Sequence, residues 1–419
     1  MTRQDSPKPR QPLVSLDQAL AELSERFAPV VPVEQVSLTD ALHRVLAEDI
    51  VSGLNNPPMA CSAMDGFAFA AADLSSEGKE TALRVTARIA AGHPHQGRFG
   101  PGEAARIFTG AAMPDGLDSV AMQEDCRVEG DIVFVPGRVQ PGDCVRPTGL
   151  DFAVGTVVLR QGRRLRPQDV AMAAAVGRSC LPVYRRLRVG VFSTGDELAE
   201  PGQALVEGQV YGSNRQGILA MARGLGCETL DLGNIPDRFE PTKDLLAAAA
   251  GRCDLLMTSG GVSVGGEDHV RAAVESLGAI HLWRLNIKPG KPAAFGRVGQ
   301  TAFIGFPGNP VASLVTFMMV ARPVILRLAG ATAESAHPWR YPVKAAFSFE
   351  KSDARREFVR VSLRSGTDGR PEALLFRSQE SNVLSSLVET DGLVDLDGGR
   401  YRVEPGDEVN FIPYPALQW

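Results

Sequence analysis

The stretch from Asp254 to Pro310 constrains the fold of this chain more than any other. A short apolar run, Leu255-Leu256-Met257-Thr258, feeds Ser259-Gly260-Gly261-Val262-Ser263-Val264-Gly265-Gly266 and then Glu267 and Asp268. A strand that empties into a glycine loop and then a helix aims backbone N–H groups at an anion. Glycine there permits positive φ and close approach of a ligand. Two more loops follow apolar runs in the same way: Lys288-Pro289-Gly290-Lys291-Pro292 and Gly305-Phe306-Pro307-Gly308-Asn309-Pro310. In an open α/β sheet such loops gather at the carboxyl ends of the strands, where ligands bind. The stretch reads as the floor of an anion site.

The flanking text agrees. From Arg188 the pattern is strand and helix by turns: strands over Val189–Phe192, Thr229–Leu232 and Leu255–Thr258, helices over Asn214–Leu225, Pro241–Ala250 and Val311–Leu328. Such alternation implies a parallel sheet with crossover helices. After Pro338 the period changes to two, which predicts a C-terminal β-barrel or sandwich. Short alternating runs between Gly/Pro turns mark a β-rich module over residues 55–149. Ahead of it, residues 14–26 form an amphipathic helix with Ser15 as N-cap, and Thr39 caps a second short helix to Leu46. Pro167 starts a helix through Val176. The segments on either side of the β-rich module are either two parts of one interrupted domain or separate pieces, which the residues alone leave open, and the polar start, 1–13, reads as a disordered tail.

Composition excludes some functions. A net charge of −5 argues against a general nucleic-acid or membrane-surface binder. The six cysteines carry no C-x-x-C pair, so neither structural zinc nor a disulfide framework is expected, and a cytoplasmic location fits. The apolar run Leu314–Leu328 is interrupted by Arg322-Pro323 and falls short of a membrane span.

The candidate chemistry lies in the loops. Ser259 to Asp268 is neither a Walker A loop nor a G-x-G-x-x-G element, so it is either a phosphate cradle or a turn. Asp268 either caps the following helix or holds Mg²⁺ beside a phosphate. Two prolines and a glycine fix Lys288 and Lys291 close together, which makes sense facing an oxyanion. Asp196 and Glu197 close a strand, where paired carboxylates suit a metal, a ribose hydroxyl or a plain turn. Asp65-Gly66 read alone is a hairpin turn. Thr109, Asp237, Arg355-Arg356 and Ser381 read alone are surface residues, although an Arg fork can cap an oxyanion.

Taken together these loops resemble the molybdopterin molybdenumtransferases, the MoeA family, and the matching C-terminal domain of gephyrin. The stretches that carry the likeness are Ser62-Ala63-Met64-Asp65-Gly66-Phe67-Ala68, Phe108-Thr109-Gly110-Ala111, Ser193-Thr194-Gly195-Asp196-Glu197-Leu198, Thr258–Gly265, Lys288–Pro292 and Pro307-Gly308-Asn309-Pro310. They run in the family's order over nearly the whole chain. The resemblance implies an elongated, multidomain α/β plus β subunit: residues 14–54 with 150–186 as one domain interrupted by the β-rich insert 55–149, 187–335 as a molybdopterin-binding α/β domain, and 336–419 as a C-terminal β-barrel. It also implies a homodimer whose cleft joins parts of both copies. The implied reaction inserts molybdate into adenylylated molybdopterin and releases AMP, with Mg²⁺ assisting. Asp268, Lys288, Lys291, Asp65 and Glu197 are then the catalytic candidates, with Asp268 and Glu197 as Mg²⁺ ligands. Ser259, Gly260, Gly261, Ser263, Asp237, Thr109, Pro307, Pro310, Arg284, Arg355 and Ser381 are the substrate-binding candidates. Arg284 stands where related bacterial sequences commonly have lysine, and of the adjacent arginines Arg355 is favoured as the one facing the site.

Three rival readings stay open. The α/β domain also resembles molybdopterin adenylyltransferases, gephyrin-like proteins act as scaffolds, and a sensor would bind without releasing AMP. A molybdopterin adenylyltransferase and apo-molybdoenzymes are further candidate partners.

Overall fold

A computed structural model describes residues 13–75, 78–261, 269–334 and 336–418. Residues 1–12 of the expected tail lie outside the described residues, and Leu13 is paired: Leu13–Val14 runs parallel to Arg284–Leu285. The chain divides into two compact units. One holds the residues up to 48 with 161–170 and 180–419, and the other holds 49–160 with 171–179.

The first unit is built on a seven-stranded sheet. Its strands are β1 (Arg188–Thr194), β2 (Glu228–Ile235), β3 (Leu255–Ser259), β4 (Gly278–Leu285), β5 (Pro292–Val298) and β6 (Thr301–Phe306), with Leu13–Val14 at one edge. The order across the sheet is Leu13–Val14, β4, β5, β6, β3, β1, β2. Every residue of β3 and β6 is buried, as expected of strands covered on both faces. Helices α1 (Ser213–Gly224), α2 (Phe239–Ala250), α3 (His269–Leu277) and α4 (Pro310–Thr316) follow β1, β2, β3 and β6 in the chain.

The sheet is mixed rather than purely parallel. β5 runs antiparallel to both β4 and β6. The cause is connection length: β5 reaches β6 through Gly299-Gln300, with Gly299 at φ +58°, and two residues cannot make a parallel crossover.

The expected single helix over Val311–Leu328 is compound. A π turn, Phe317–Ala321, separates α4 from α5 (Arg322–Leu328). It falls just before Pro323, which has no N–H with which to continue an α ladder. By length and composition Pro310–Leu328 passes for a membrane span, but 83% of it is buried inside the core.

At the amino end, Leu16–Arg26 is a helix closed by a capping box. The Ser15 hydroxyl accepts from the Gln18 N–H, and Gln18 Oε1 accepts from the Ser15 N–H. The second short helix is corrected to one 3₁₀ turn, Leu38–Asp40, followed by a strand, Val45–Leu46. Ser37 Oγ bonds Thr39 Oγ1 and Asp40 Oδ2, and His43 sits at φ +62°. Local side-chain bonds and a left-handed residue both oppose helix continuation.

The carboxyl-terminal part is a closed five-stranded barrel: β7 (Tyr341–Ala345), β8 (Arg356–Ser365), β9 (Pro371–Leu375), β10 (Gly392–Leu396) and β11 (Glu408–Pro413). Pairing runs β8-β9-β7-β11-β10 and closes when β10 returns to β8. Its Phe358, Leu393 and Ile412 share one apolar core with Ile287, Phe306 and Phe317 of the α/β part. A sixth segment, Ile287–Lys288, lies parallel to the start of β8.

The second unit carries a six-stranded sheet in the order Arg127–Glu129, Ile132–Val135, Thr81–Ile89, Glu103–Ile107, Gly66–Phe69, Ser119–Met122. Asp65-Gly66 is not a hairpin turn, because Gly66 opens a strand. A Cβ at Gly66 would lie 1.9 Å from the Ala121 carbonyl oxygen, so only glycine fits.

Candidate functional site

In the first unit a cavity of about 610 Å³ opens between the carboxyl ends of β3 and β6 and the rim of the barrel. The α/β part contributes Gly260, Gly261, the whole Lys288–Pro292 turn and Pro307, Gly308 and Asn309. The barrel part contributes Ser352, Arg355, Glu357, Gln379, Glu380 and Ser381 among others.

Each wall has a local cause. Gly260 (φ +93°) and Gly261 (φ +64°) turn the chain away from β3, and a Cβ on Gly261 would lie 2.4 Å from Val270 Cγ2. The loop is seated on β6 by the Gly260 N–H donating to the Phe306 carbonyl at 3.2 Å. Gly290 (φ +117°) lets the lysine turn lie flat on α4, with Thr316 Oγ1 2.4 Å from where a Cβ would be. At Gly308 a Cβ would meet nothing within 4 Å, which leaves that wall open to a ligand. Asn214 braces two loops at once: its amide donates to Ser259 Oγ at 2.7 Å and to the Gly308 carbonyl at 2.6 Å. Asn309 Nδ2 donates to Ser381 Oγ at 2.8 Å, and the Val311 N–H to the Ser381 carbonyl at 3.0 Å. Ser381 is thereby tied to the first turn of α4, where Pro310 is the first helical residue.

The cations are held by acids. Lys288 Nζ lies 3.0 Å from Glu357 Oε1 and donates to Ser352 Oγ at 3.1 Å. Glu357 is buried, at 2% exposure, and its Oε2 has no hydrogen-bond partner. Arg355 forks onto Asp353 at 2.7 to 3.0 Å. The Arg355 hydrogen bonds hold the Asp353 carboxyl down at about 2. Arg356 turns the other way, to Asp395 at 2.6 and 2.7 Å and to Asp17 at 3.4 Å. Successive strand residues face opposite sides, so only one of the two arginines can reach the cavity, and it is Arg355.

The other expected residues lie elsewhere or outside the description. Ser259 is buried at the end of β3, and Arg284 sits within β4, paired in register with Pro292. Ser263 and Asp268 lie outside the described residues. Asp65 and Thr109 sit together in the second unit, where Asp65 Oδ1 accepts from both the backbone N–H and the hydroxyl of Thr109 at 2.8 Å. Those two bonds, the backbone one first, lower the Asp65 pKa. Asp196 and Glu197 follow β1, and Asp237 follows β2. The Asp237 N–H reaches Asp196 Oδ1 at 3.4 Å, while Asp237 Oδ1 is buried without a partner.

Among the described residues no three carboxylates, histidines or cysteines gather as a metal site. Mg²⁺ commonly takes one or two protein carboxylates and completes its shell with water and substrate phosphate. The orphaned Asp237 oxygen beside Asp196, on an edge that also carries Glu197, has the hard oxygen chemistry such an ion needs. Glu357, Ser352, Gln379 and Asn214 were not marked by the sequence. No motif surrounds them, and only the strand pairing of Ile287–Lys288 with β8 brings Glu357 to Lys288.

Comparison with known proteins covers nearly the whole chain. A model of the MoeA N-terminal region (domain I and II) matches residues 14–177. A probable molybdopterin binding domain matches 190–327, and the MoeA C-terminal region (domain IV) matches 342–414. A molybdopterin molybdenumtransferase of Haemophilus influenzae is 36% identical over 406 residues, covering 97% of this chain and 100% of the relative. One from Bacillus subtilis is 32% identical over 386 residues, 90% of this chain and 89% of the relative. The crystal structure of the molybdopterin biosynthesis MoeA protein of Pyrococcus horikoshii is 28% identical, with a TM-score of 0.81 over 96% of this chain and 100% of that one.

Proposed function

We propose, on the premise that this chain belongs to the MoeA family of molybdopterin molybdenumtransferases, that it inserts molybdate into adenylylated molybdopterin, releases AMP, and requires Mg²⁺ to do so. The observation that carries this reading is the cavity that gathers Lys288, Lys291, Arg355 and Ser381 around one space. A tetrahedral oxyanion needs donors converging from several directions, and two ammonium groups, a guanidinium and a hydroxyl supply them. The Gly260-Gly261 edge of the same cavity offers backbone to a phosphate.

The residues divide the work. Lys288, Lys291, Arg355 and Ser381 bind the molybdate oxygens and orient them. Gly260, Gly261 and Pro307 shape the wall against the phosphorylated pterin, and Ser259, Ser263, Pro310 and Arg284 are further proposed substrate-binding residues. Asp237, Glu197 and Asp268 serve the adenylyl side, where they would hold Mg²⁺. When bound, that ion supplies charge neutralisation at the phosphoanhydride. Asp65, fixed by Thr109, is a further proposed catalytic residue. Water attacks the adenylyl phosphorus, and the P–O bond to the pterin phosphate breaks. AMP leaves carrying the water's oxygen while the protons pass to solvent, the pterin keeps its phosphate, and its dithiol then takes the metal.

The reading also carries a homodimer, a cytoplasmic location and the domain division 14–54 with 150–186, 55–149, 187–335 and 336–419. Two pairings across the interruption support that division: Val33–Ser37 with Cys180–Tyr184, and Ile50–Val51 with Val157–Leu159. The test is to incubate the full chain with adenylylated molybdopterin and molybdate, with and without Mg²⁺, and follow AMP and pterin-bound molybdenum. AMP release coupled to metal insertion, lost without Mg²⁺, is the expected result. ATP consumption with free molybdopterin in place of these would establish the adenylyltransferase reading instead.

A further inference from the structure

Glu357 has no place in the anion-binding scheme above, and its surroundings are unusual. It lines the cavity together with the three cations, yet it is 2% exposed. Parallel pairing of Ile287–Lys288 with Arg356-Glu357 sets it beside Lys288, and Oε1 is occupied by that ammonium at 3.0 Å. Its Oε2 is buried and accepts no hydrogen bond. A buried carboxylate oxygen without a donor is costly unless something bound supplies one. Molybdate as a dianion has no proton to offer. A thiol, or a molybdenum oxygen about to leave as water, does.

We infer that Glu357 carries protons in the metal-insertion step, taking them from the pterin dithiol and handing them to the molybdate oxygen that is lost. This rests on the molybdenum-insertion reading of the cavity. Two S–H bonds break, two Mo–S bonds form, and one Mo–O bond breaks. Both protons leave on that oxygen as one water, the net charge of −2 passes to the product, and no electrons change hands. Glu357 is restored after each transfer. Lys288 fixes its orientation, and Ser352 holds Lys288 in turn. Lys351, itself buried with its Nζ on the Asp397 carbonyl at 2.5 Å, adds a second positive charge within electrostatic range.

The test is Glu357→Gln in the full-length protein. Glutamine keeps an acceptor for Lys288 but turns the free acceptor into a donor and removes a negative charge. Molybdate binding, read by calorimetry, is expected to tighten severalfold. Insertion, read as pterin-bound molybdenum over time, is expected to slow by about 100-fold, the range for loss of a positioned proton carrier. Glu357→Asp restores part of the rate. A purely structural role, holding Lys288 in place, predicts the reverse for binding: affinity and insertion fall together. That result, or insertion at the wild-type rate, overturns the inference. If Glu357→Gln does not fold, insertion by the wild-type protein in D₂O decides, since an unchanged rate overturns it as well. Failure of the wild-type protein to insert molybdenum at all would be a failure of the functional reading itself, and so is told apart from these outcomes.

Discussion

Replacing Gly290 by alanine tests how the lysine turn is built. The new Cβ would sit 2.4 Å from Thr316 Oγ1 and 3.2 Å from Ile287 Cδ1, where ordinary contact begins at 3.4 Å. Thr316 is fully buried in the helix behind the turn, so neither partner can swing into solvent. Overpacking of this kind costs about 1–3 kcal/mol. Holding an L-residue at φ +117° costs about 1–3 kcal/mol more. Alanine stiffens the unfolded chain and returns about 0.5–1 kcal/mol. The net expectation is a loss of about 1–5 kcal/mol. Thr316→Ala separates the two causes, because Thr316 Oγ1 has no hydrogen-bond partner to lose. In that background Gly290→Ala should cost about 1–3 kcal/mol less, leaving the backbone part. Urea-dependent hydrogen exchange at the amides around 287–293 reads this turn rather than the whole multidomain chain. A loss below about 1 kcal/mol, or the same loss in both backgrounds, would refute the account of Gly290 as a steric requirement.

Lys288→Ala should weaken molybdate binding and also destabilise the protein by about 1–3 kcal/mol, because it strands the buried Glu357 carboxylate. Lys288→Ala with Glu357→Gln should recover the stability but not the affinity, by thermal unfolding and calorimetry. Arg355→Ala should reduce molybdate affinity at only the modest stability cost of losing a part-exposed pair with Asp353. Arg356→Ala, which breaks the pair with the buried Asp395, should do the opposite and cost about 1–3 kcal/mol. Asp353 binds its proton less readily folded (about 2) than unfolded, so its stabilising contribution is full above about pH 4 and lost as pH falls toward 2. Carbon NMR should place its titration near 2, and Arg355→Ala should move it upward.

Much of this architecture was legible because its signals are local. The apolar runs ending in Ser259-Gly260-Gly261 and Phe306-Pro307-Gly308 announce strands that empty into loops, and the loops do meet at one cavity. The N-cap at Ser15 could be anticipated from the serine alone, and the structure adds the reciprocal bond from the Ser15 N–H to Gln18 Oε1. The direction of β5 could not be, because a two-residue turn such as Gly299-Gln300 is a faint signal beside the strand and helix alternation that surrounds it. Strand periodicity says that one of Arg355 and Arg356 faces inward, but the face depends on Asp395, about forty residues away. Glu357 was invisible for the same reason: its partner lies on another part of the fold, and nothing beside it in the chain marks it.

The wall that carries Lys288, Lys291 and Arg355 also carries Glu350, Glu357 and Glu380. Among the described residues, three positive groups beside three negative ones project little field beyond a Debye length. If the cavity takes an oxyanion as proposed, its capture would owe little to long-range attraction and change little with ionic strength. Selectivity falls instead to the directions in which the donors point. Abundant sulfate and phosphate, equally charged but differently sized, gain no foothold here from charge alone.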